Sequence, residues 1–304
     1  MIKGSKRAAF IIPGILLSFG ILFQIIFDKF PLHFFEYPLN VITGAELLAL
    51  IVLLYIFFKQ NKIIVFLKSG HAALSSIALF TIITVLIAII PQGKSEISII
   101  NELSLNSIPS TWYYAISLLY LLICLGFVTI KRLTPLSYKN IFFFINHFGL
   151  WLVLFSANLG HADKVSLNMI IPEGEKKWYA YDSDKSRNDL NFAIQLNEFK
   201  IENYSENTVN NNSTVKNYEA EITVLTNKNQ QGYKANVLIN KPVKINDYSV
   251  YLHSYIISKD NTKHAIFTIV KDPWLYASYA GFIMIFLGSI LLLFERKEKL
   301  KTDK

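Results

Sequence analysis

Residues Ile141 to Gly160, IFFFINHFGLWLVLFSANLG, decide how the chain is read. The hydrocarbon core of a bilayer is about 30 Å thick and needs roughly 20 apolar residues in a helix to cross it. This run has that length and carries one imidazole, His147. A polar ring in hydrocarbon is disfavoured unless it meets protein, water or a ligand, so an intramembrane ionisable residue marks a functional candidate. Immediately afterwards the chain turns polar and strand-patterned as far as Asp272, and one more apolar run follows. The expectation is a scaffold that places His147 and an extramembrane β domain.

Composition supports a membrane protein. Of 304 residues 52% are hydrophobic and 17% charged, and the apolar residues fall in blocks rather than in alternation. The single cysteine, Cys124, lies inside an apolar block, which excludes an intrachain disulfide framework, a CxxC pair and a cysteine metal site. The chain has no CxxCH and so is not itself a c-type cytochrome. It also lacks a phosphate-binding glycine loop, a nucleophile elbow and an HExxH pair.

Five further apolar runs follow the same length rule: Ala8 to Ile26, Leu39 to Phe58, His71 to Ile90, Trp112 to Ile130 and Trp274 to Phe294. The first follows Lys3, Lys6 and Arg7 but is not followed by a small-residue cleavage site, so it reads as an uncleaved span. Basic residues in short loops set orientation. They crowd at the N-terminus, at Lys59, Lys62 and Lys68, at Lys131, Arg132 and Lys139, and in the tail, whereas the alternate loops hold only Lys29 and Lys94. The fold class expected is therefore a polytopic α-helical membrane protein of six transmembrane helices, with an extracytoplasmic antiparallel β domain between helices five and six. Residues 1–70 form an N-terminal two-helix membrane extension and 71–160 the core helices. Residues 161–273 form the β domain, and 274–304 the last helix and a cytoplasmic tail. Both termini are expected in the cytoplasm of a multi-pass inner-membrane protein, with 161–273 periplasmic. From His161 to Asp272 basic and acidic residues number fourteen each, so the net charge of +8 reflects topology and implies no nucleic-acid partner.

Within the polar segment Leu190, Phe192, Ile194 and Leu196 alternate with polar residues, and the phase then slips to Phe199 and Ile201, predicting a strand with a bulge. Glu221–Leu225 and Tyr233–Ile239 predict a hairpin closed by Asn227–Gly232. Tyr248–Ile257 and Ala265–Val270 predict two more strands turning at Asp260-Asn261. Phe192, Ile194, Leu196, Val237, Ile239 and Leu252 are the expected core, and the Asn-rich run Ser205 to Ser213 is expected to be a mobile loop.

Histidine and intramembrane charge are what remain for chemistry. His147 has two readings: a ring that hydrogen-bonds a neighbouring helix and fixes packing, or an axial ligand for haem, whose apolar macrocycle suits a bundle and whose iron takes a neutral imidazole. Phe142, Phe143, Phe144, Phe148 and Trp151 could pack a flat ring. His71, His161 and His33 read first as interfacial residues, His161 also as a contact for a haem propionate or a partner. His253 is expected on one strand face with Tyr251 and Tyr255 as a half-exposed sheet residue, and His264 is turn-adjacent. Glu46, inside the second span, requires a partner such as Lys94 or a watery crevice.

Taken together, several stretches resemble the ResB/CcsB family of c-type cytochrome biogenesis proteins. Phe144-Ile-Asn-His147-Phe-Gly-Leu, continuing to Leu159-Gly160, resembles the family's third core helix. The stretch from His161 to Met169, then Pro172-Glu-Gly-Glu175 and Trp178, is similar to its Bacteroidetes-type members. Leu190 to Phe199 resembles the strand that opens the outer domain. Ile239-Asn-Lys-Pro242, Tyr248 to Tyr251 with Ser254-Tyr255, and Val270-Lys-Asp-Pro273 follow in the family's order. Ile90-Pro91-Gln92 resembles the end of its first core helix. The resemblance implies a subunit that, with a CcsA-type haem-handling membrane partner, moves haem b across the membrane and supports its attachment to apocytochrome c. It also implies that His147 is the axial ligand to the haem iron at an inner membrane site. The chain has no tryptophan-rich motif of the CcsA kind, so it is expected not to be a synthase alone but part of a holocytochrome c synthase complex embedded in membrane lipid. The competing expectation is a membrane-anchored β-domain scaffold or assembly factor that binds no haem. A third is a small-solute transporter subunit that uses Glu46.

Overall fold

A computed structural model describes residues 3–93, 96–203, 215–226 and 232–302, with side chains over 6–93, 96–202, 216–226 and 232–294. Six of its helices are long and apolar enough to cross a membrane. Eight α-helices occur among the described residues: α1 (Lys3–Phe27), α2 (Leu39–Phe57), α3 (Lys62–Leu67), α4 (Gly70–Ile89), α5 (Ser98–Glu102), α6 (Trp112–Arg132), α7 (Tyr138–Asn158) and α8 (Leu275–Thr302). The short α3 and α5, and 3-10 turns at Leu32–Phe35, Leu105–Ser110 and Leu159–Asp163, structure the connections that sequence leaves as loops. Helix starts are set by side-chain caps. Ser69 accepts from Ala72 N, Thr111 from Tyr114 N and Ser137 from Asn140 N, each satisfying an amide that has no partner within the helix.

The chain divides into two compact units, residues 1–162 with 274–304, and residues 163–273. In the helical unit α6 is the central post. It packs against α1, α2, α4 and α7 and buries Leu118, Leu122, Cys124 and Phe127. Polar groups inside the bundle pair across helices. Gln24 of α1 accepts from Trp112 N at the start of α6 and donates to Ser104 Oγ; Ser75 of α4 bonds Tyr120 of α6; Tyr114 donates to Asn158 of α7 at 2.6 Å.

The second unit is an eight-stranded antiparallel sheet in the order β5-β4-β3-β2-β1-β8-β7-β6. Its strands are β1 (Val165–Pro172), β2 (Lys176–Tyr181), β3 (Arg187–Asn203), β4 (Val215–Leu225), β5 (Gly232–Leu238), β6 (Val243–Ile245), β7 (Tyr248–Ile257) and β8 (Lys263–Lys271). The sheet curls until β5 meets β6 and β7. Phe192 of β3 then touches Tyr248 of β7, and Tyr218 of β4 touches Tyr255 and donates to His253 O. One continuous core fills the interior, with Ile194, Leu196, Phe199, Ile222, Val237 and Phe267 at 0% exposure.

The phase slip in β3 is a bulge. Register against β4 shifts between Leu196 and Glu198, so both Leu196 and Phe199 point inward. The backbone groups freed there are taken up nearby: Phe199 N donates to Glu173 and Phe199 O accepts from Lys263 Nζ. β4 and β5 pair with Leu225 opposite Gly232, while most of the connecting hairpin and the Ser205–Ser213 run lie outside the described residues. β7 and β8 turn as expected, Asn261 taking φ of 65°. Two expectations are corrected. Ile239 is 36% exposed, because β5 ends at Leu238 and Ile239-Asn240 form a turn closed by the Leu238–Lys241 bridge. Tyr255 does not share a face with Tyr251, because a second bulge between Leu252 and Ser254 turns Tyr255 toward the core and leaves Tyr251 exposed. At the surface, Lys234 at 2.9 Å holds the Glu221 carboxyl below the usual range.

Ile194 offers the direct test of this core. An Ile194→Asp substitution would bury a carboxylate among apolar side chains, at a cost of several kcal/mol. Limited proteolysis of the full chain is expected to cut within residues 163–273 in this variant and to leave the wild-type domain intact.

Candidate functional site

His147 sits midway along α7. Its Nδ1 lies 3.0 Å from the carbonyl oxygen of Phe143, one turn back on the same helix. A carbonyl only accepts, so Nδ1 carries the proton, and in the neutral ring Nε2 keeps its lone pair. The imidazole stacks on the Phe143 ring at 3.7 Å between centroids and 19° between planes. The guanidinium of Arg132, at the end of α6, lies 5.7 Å from that same phenyl ring. His147 is half-buried, and among the described residues no group bonds Nε2.

The rotation of α7 that presents His147 is set by its seam with α8. Asn146 donates to Ile285 O at 3.0 Å and to Ser289 Oγ at 2.7 Å. The backbones approach closely where Gly149 meets Gly281 and Gly288 meets Asn146; a methyl group added at Gly149 would stand 2.7 Å from Gly281 O. Small residues let helices approach in this way where lipid gives no hydrophobic drive to associate. Ser156 and Ser278 bond across the same seam at 2.8 Å. On a neighbouring face of α7, Phe144, Phe148, Trp151 and Phe155 stack with ring planes within 7° of one another, pair by pair.

The other candidates lie elsewhere. His161 is exposed at the far end of α7, roughly 20 Å from His147 along the axis at 1.5 Å per residue. The two histidines therefore cannot ligate one metal ion together. His161 lines a cavity of about 500 Å³ with Phe30, Leu47, Trp112, Tyr114 and Phe155. His33 is exposed and its ring lies 4.3 Å from that of Phe34, tilted by 41°; His71 lies in the first turn of α4. Glu46 is exposed on α2, and Lys94, weighed as its partner, lies outside the described residues. His253 is exposed on β7, and His264 bonds Ser258 at 2.7 Å. Among the described residues no group of three His, Cys, Asp or Glu side chains could hold a metal ion. Sequence reasoning weighed ionisable groups and passed over Asn146 and Arg132. The signal was present: an amide inside an apolar span, and glycines at 281 and 288, seven residues apart in the last one.

Six apolar helices with an antiparallel β domain inserted before the last of them fit a membrane protein with a β domain. Residues 137–267 match the model of the ResB-like family, the family reached from the ordered motifs of the sequence. The matched interval opens at the cap of α7, contains His147 and ends within β8. The family is associated with cytochrome c biogenesis. No curated protein matches the chain.

Gly149→Leu tests the seam. Its side chain would collide with the α8 backbone, and overpacking of this kind costs about 1–3 kcal/mol or more. Thermal unfolding of the detergent-solubilised protein should begin several degrees lower than in wild type. Leu150→Ala, at a neighbouring exposed position, should leave the transition in place.

Proposed function

We propose that this chain is the ResB/CcsB-like subunit of a cytochrome c biogenesis complex. With a CcsA-type membrane partner it moves haem b outward and supports its attachment to apocytochrome c. The observation that carries the reading is the Nδ1–H bond from His147 to the Phe143 carbonyl. Metal-ligating histidines characteristically donate their second ring nitrogen to a carbonyl or carboxylate, which fixes the tautomer and raises the basicity of the free nitrogen. Here that bond leaves Nε2 as a neutral donor on a half-open ring among aromatic side chains. The donor set fits haem iron, which accepts an imidazole nitrogen. The chain's own residues would orient the ligand: Phe143 fixes the ring, and Asn146 with Gly149 fixes the helix. One histidine supplies one axial position, so the second is assigned to the partner.

The alternation of basic loops supports an orientation with both termini cytoplasmic and residues 161–273 periplasmic in the cell inner membrane. Reporter fusions after Ile90 and within Asn207–Asn212 should both report a location outside the cytoplasm. A cytoplasmic signal from the second would reverse the arrangement.

His147→Gly tests the ligand. The complex co-purified with its partner is expected to lose or alter its haem absorption, and cytochrome c assembly should fail. Added imidazole should restore part of both by supplying the nitrogen without the tether. A scaffold that binds no haem through His147 predicts an unchanged spectrum per complex, with defects that follow protein abundance.

A further inference from the structure

One turn of α7 from His147, a second cavity of about 410 Å³ opens at the end of the bundle. Lys68, Lys131 and Arg132 line it, with Thr134 and Asn140 adding polar groups and Ala73, Val128 and Phe143 forming an apolar floor. No Asp or Glu belongs to the lining. The three cations have backbone or ring partners only, among the described residues. Lys131 Nζ donates to Lys68 O at 3.3 Å, Lys68 donates to Lys59 O, and Arg132 lies over Phe143. Three like charges around one cavity repel each other unless an anion enters. The pocket also shares a wall with the candidate ligand, since Phe143 faces the cavity and stacks on His147.

We infer that Lys68, Lys131 and Arg132 receive the two carboxylates of the haem macrocycle whose iron His147 holds. The inference rests on the ligand role proposed for His147. A carboxylate left in hydrocarbon without a partner is strongly disfavoured, so a macrocycle held inside the membrane needs cations at its acidic edge. Phe143, in the lining of the basic cavity, lies four residues from His147, about 6 Å along the helix axis. At the other end of the bundle, the cavity beside His161 has no Lys or Arg in its lining. The acidic edge therefore points toward the end carrying Lys131 and Arg132, and arginine is suited to gripping a carboxylate through two parallel bonds. In the proposed orientation this end is cytoplasmic, so the macrocycle enters with its apolar edge leading and its carboxylates trailing.

The test uses the full chain with its partner in nanodiscs, titrated with iron mesoporphyrin and with its dimethyl ester, and followed in the Soret band. Wild type is expected to bind the diacid about ten- to a hundred-fold more tightly than the ester. Lys131→Gln with Arg132→Gln should bring the diacid down to the ester's affinity, leave ester binding unchanged and preserve the bound spectrum. Equal affinity for diacid and ester in wild type would overturn the inference, and that comparison needs no variant. It would also be overturned if the double substitution released a co-purified anionic lipid while the diacid-to-ester ratio stayed fixed, which would assign the cavity to a phosphate headgroup. Failure of the underlying reading looks different: His147→Gly would then bind both porphyrins with the wild-type spectrum.

Discussion

A single added carbon at Gly149 would stand within 2.7 Å of the Gly281 carbonyl, and the rest of the helical arrangement around α7 follows from that closeness. Lipid tails are as apolar as leucine, so helices in a bilayer gain little from hiding apolar surface and associate through packing depth and hydrogen bonds. The α7–α8 seam uses both, backbone against backbone at the glycines and the Asn146 amide on Ile285 and Ser289. Once Asn146 is committed to α8, its neighbour in sequence points about 100° further round the helix. That neighbour is His147. Its direction is thus set by a contact it does not make.

Small hydroxyls such as Ser117 and Thr129 fold back on their own helix, whereas the larger polar side chains of the bundle differ from one another in how they are satisfied. Gln24, Tyr120, Asn146, Asn158 and Ser156 each reach another helix, so each stitches two elements together. Among the described residues His147 bonds only to its own helix, one turn back. A packing histidine would be expected to bridge, as these do. An imidazole whose proton is tied up locally leaves its lone pair for something arriving from outside the chain. The aromatic column from Phe144 to Phe155 and the cationic group at the end of α6 flank that position without competing for the nitrogen.

Most of the architecture could be read from residue patterns because each rests on a local rule. Span length gave the six long helices, and period-two alternation gave β3, β4, β5, β7 and β8. Even the bulge was visible, since the apolar phase jumps from Leu196 to Phe199. β1 was legible and passed over, since Leu167, Met169 and Ile171 alternate inward without a break; β2 and β6 escaped because their inward residues are few: Lys176 to Tyr181 buries only Ala180 fully, and Val243–Ile245 is three residues long. Ile239 was misjudged because alternation cannot say where a strand stops. For the site, the position of His147 could be read and its hydrogen bond could not, since a side chain folding back on the preceding turn leaves no mark in composition. Arg132 was hidden for a related reason. It read as a topology-setting charge, and its place over Phe143 depends on how the connection from α6 to α7 folds.

The β unit begins and ends in one antiparallel pair, Val165 opposite Lys271, while Gly160 in the helical unit packs on Trp274. From the standpoint of the two helices, α7 and α8 form a hairpin whose turn happens to be a folded domain. The chain length that matters for bringing the helices together is then not residues 159–274 but the few at 159–164 and 272–274 that no strand holds. That amounts to roughly three to four halvings of loop length at about 0.6 kcal/mol each, or about 2 kcal/mol in favour of the seam. Folding of the sheet therefore raises the effective concentration of α8 around α7. A lesion deep in the β core would loosen the histidine-bearing helix without touching it.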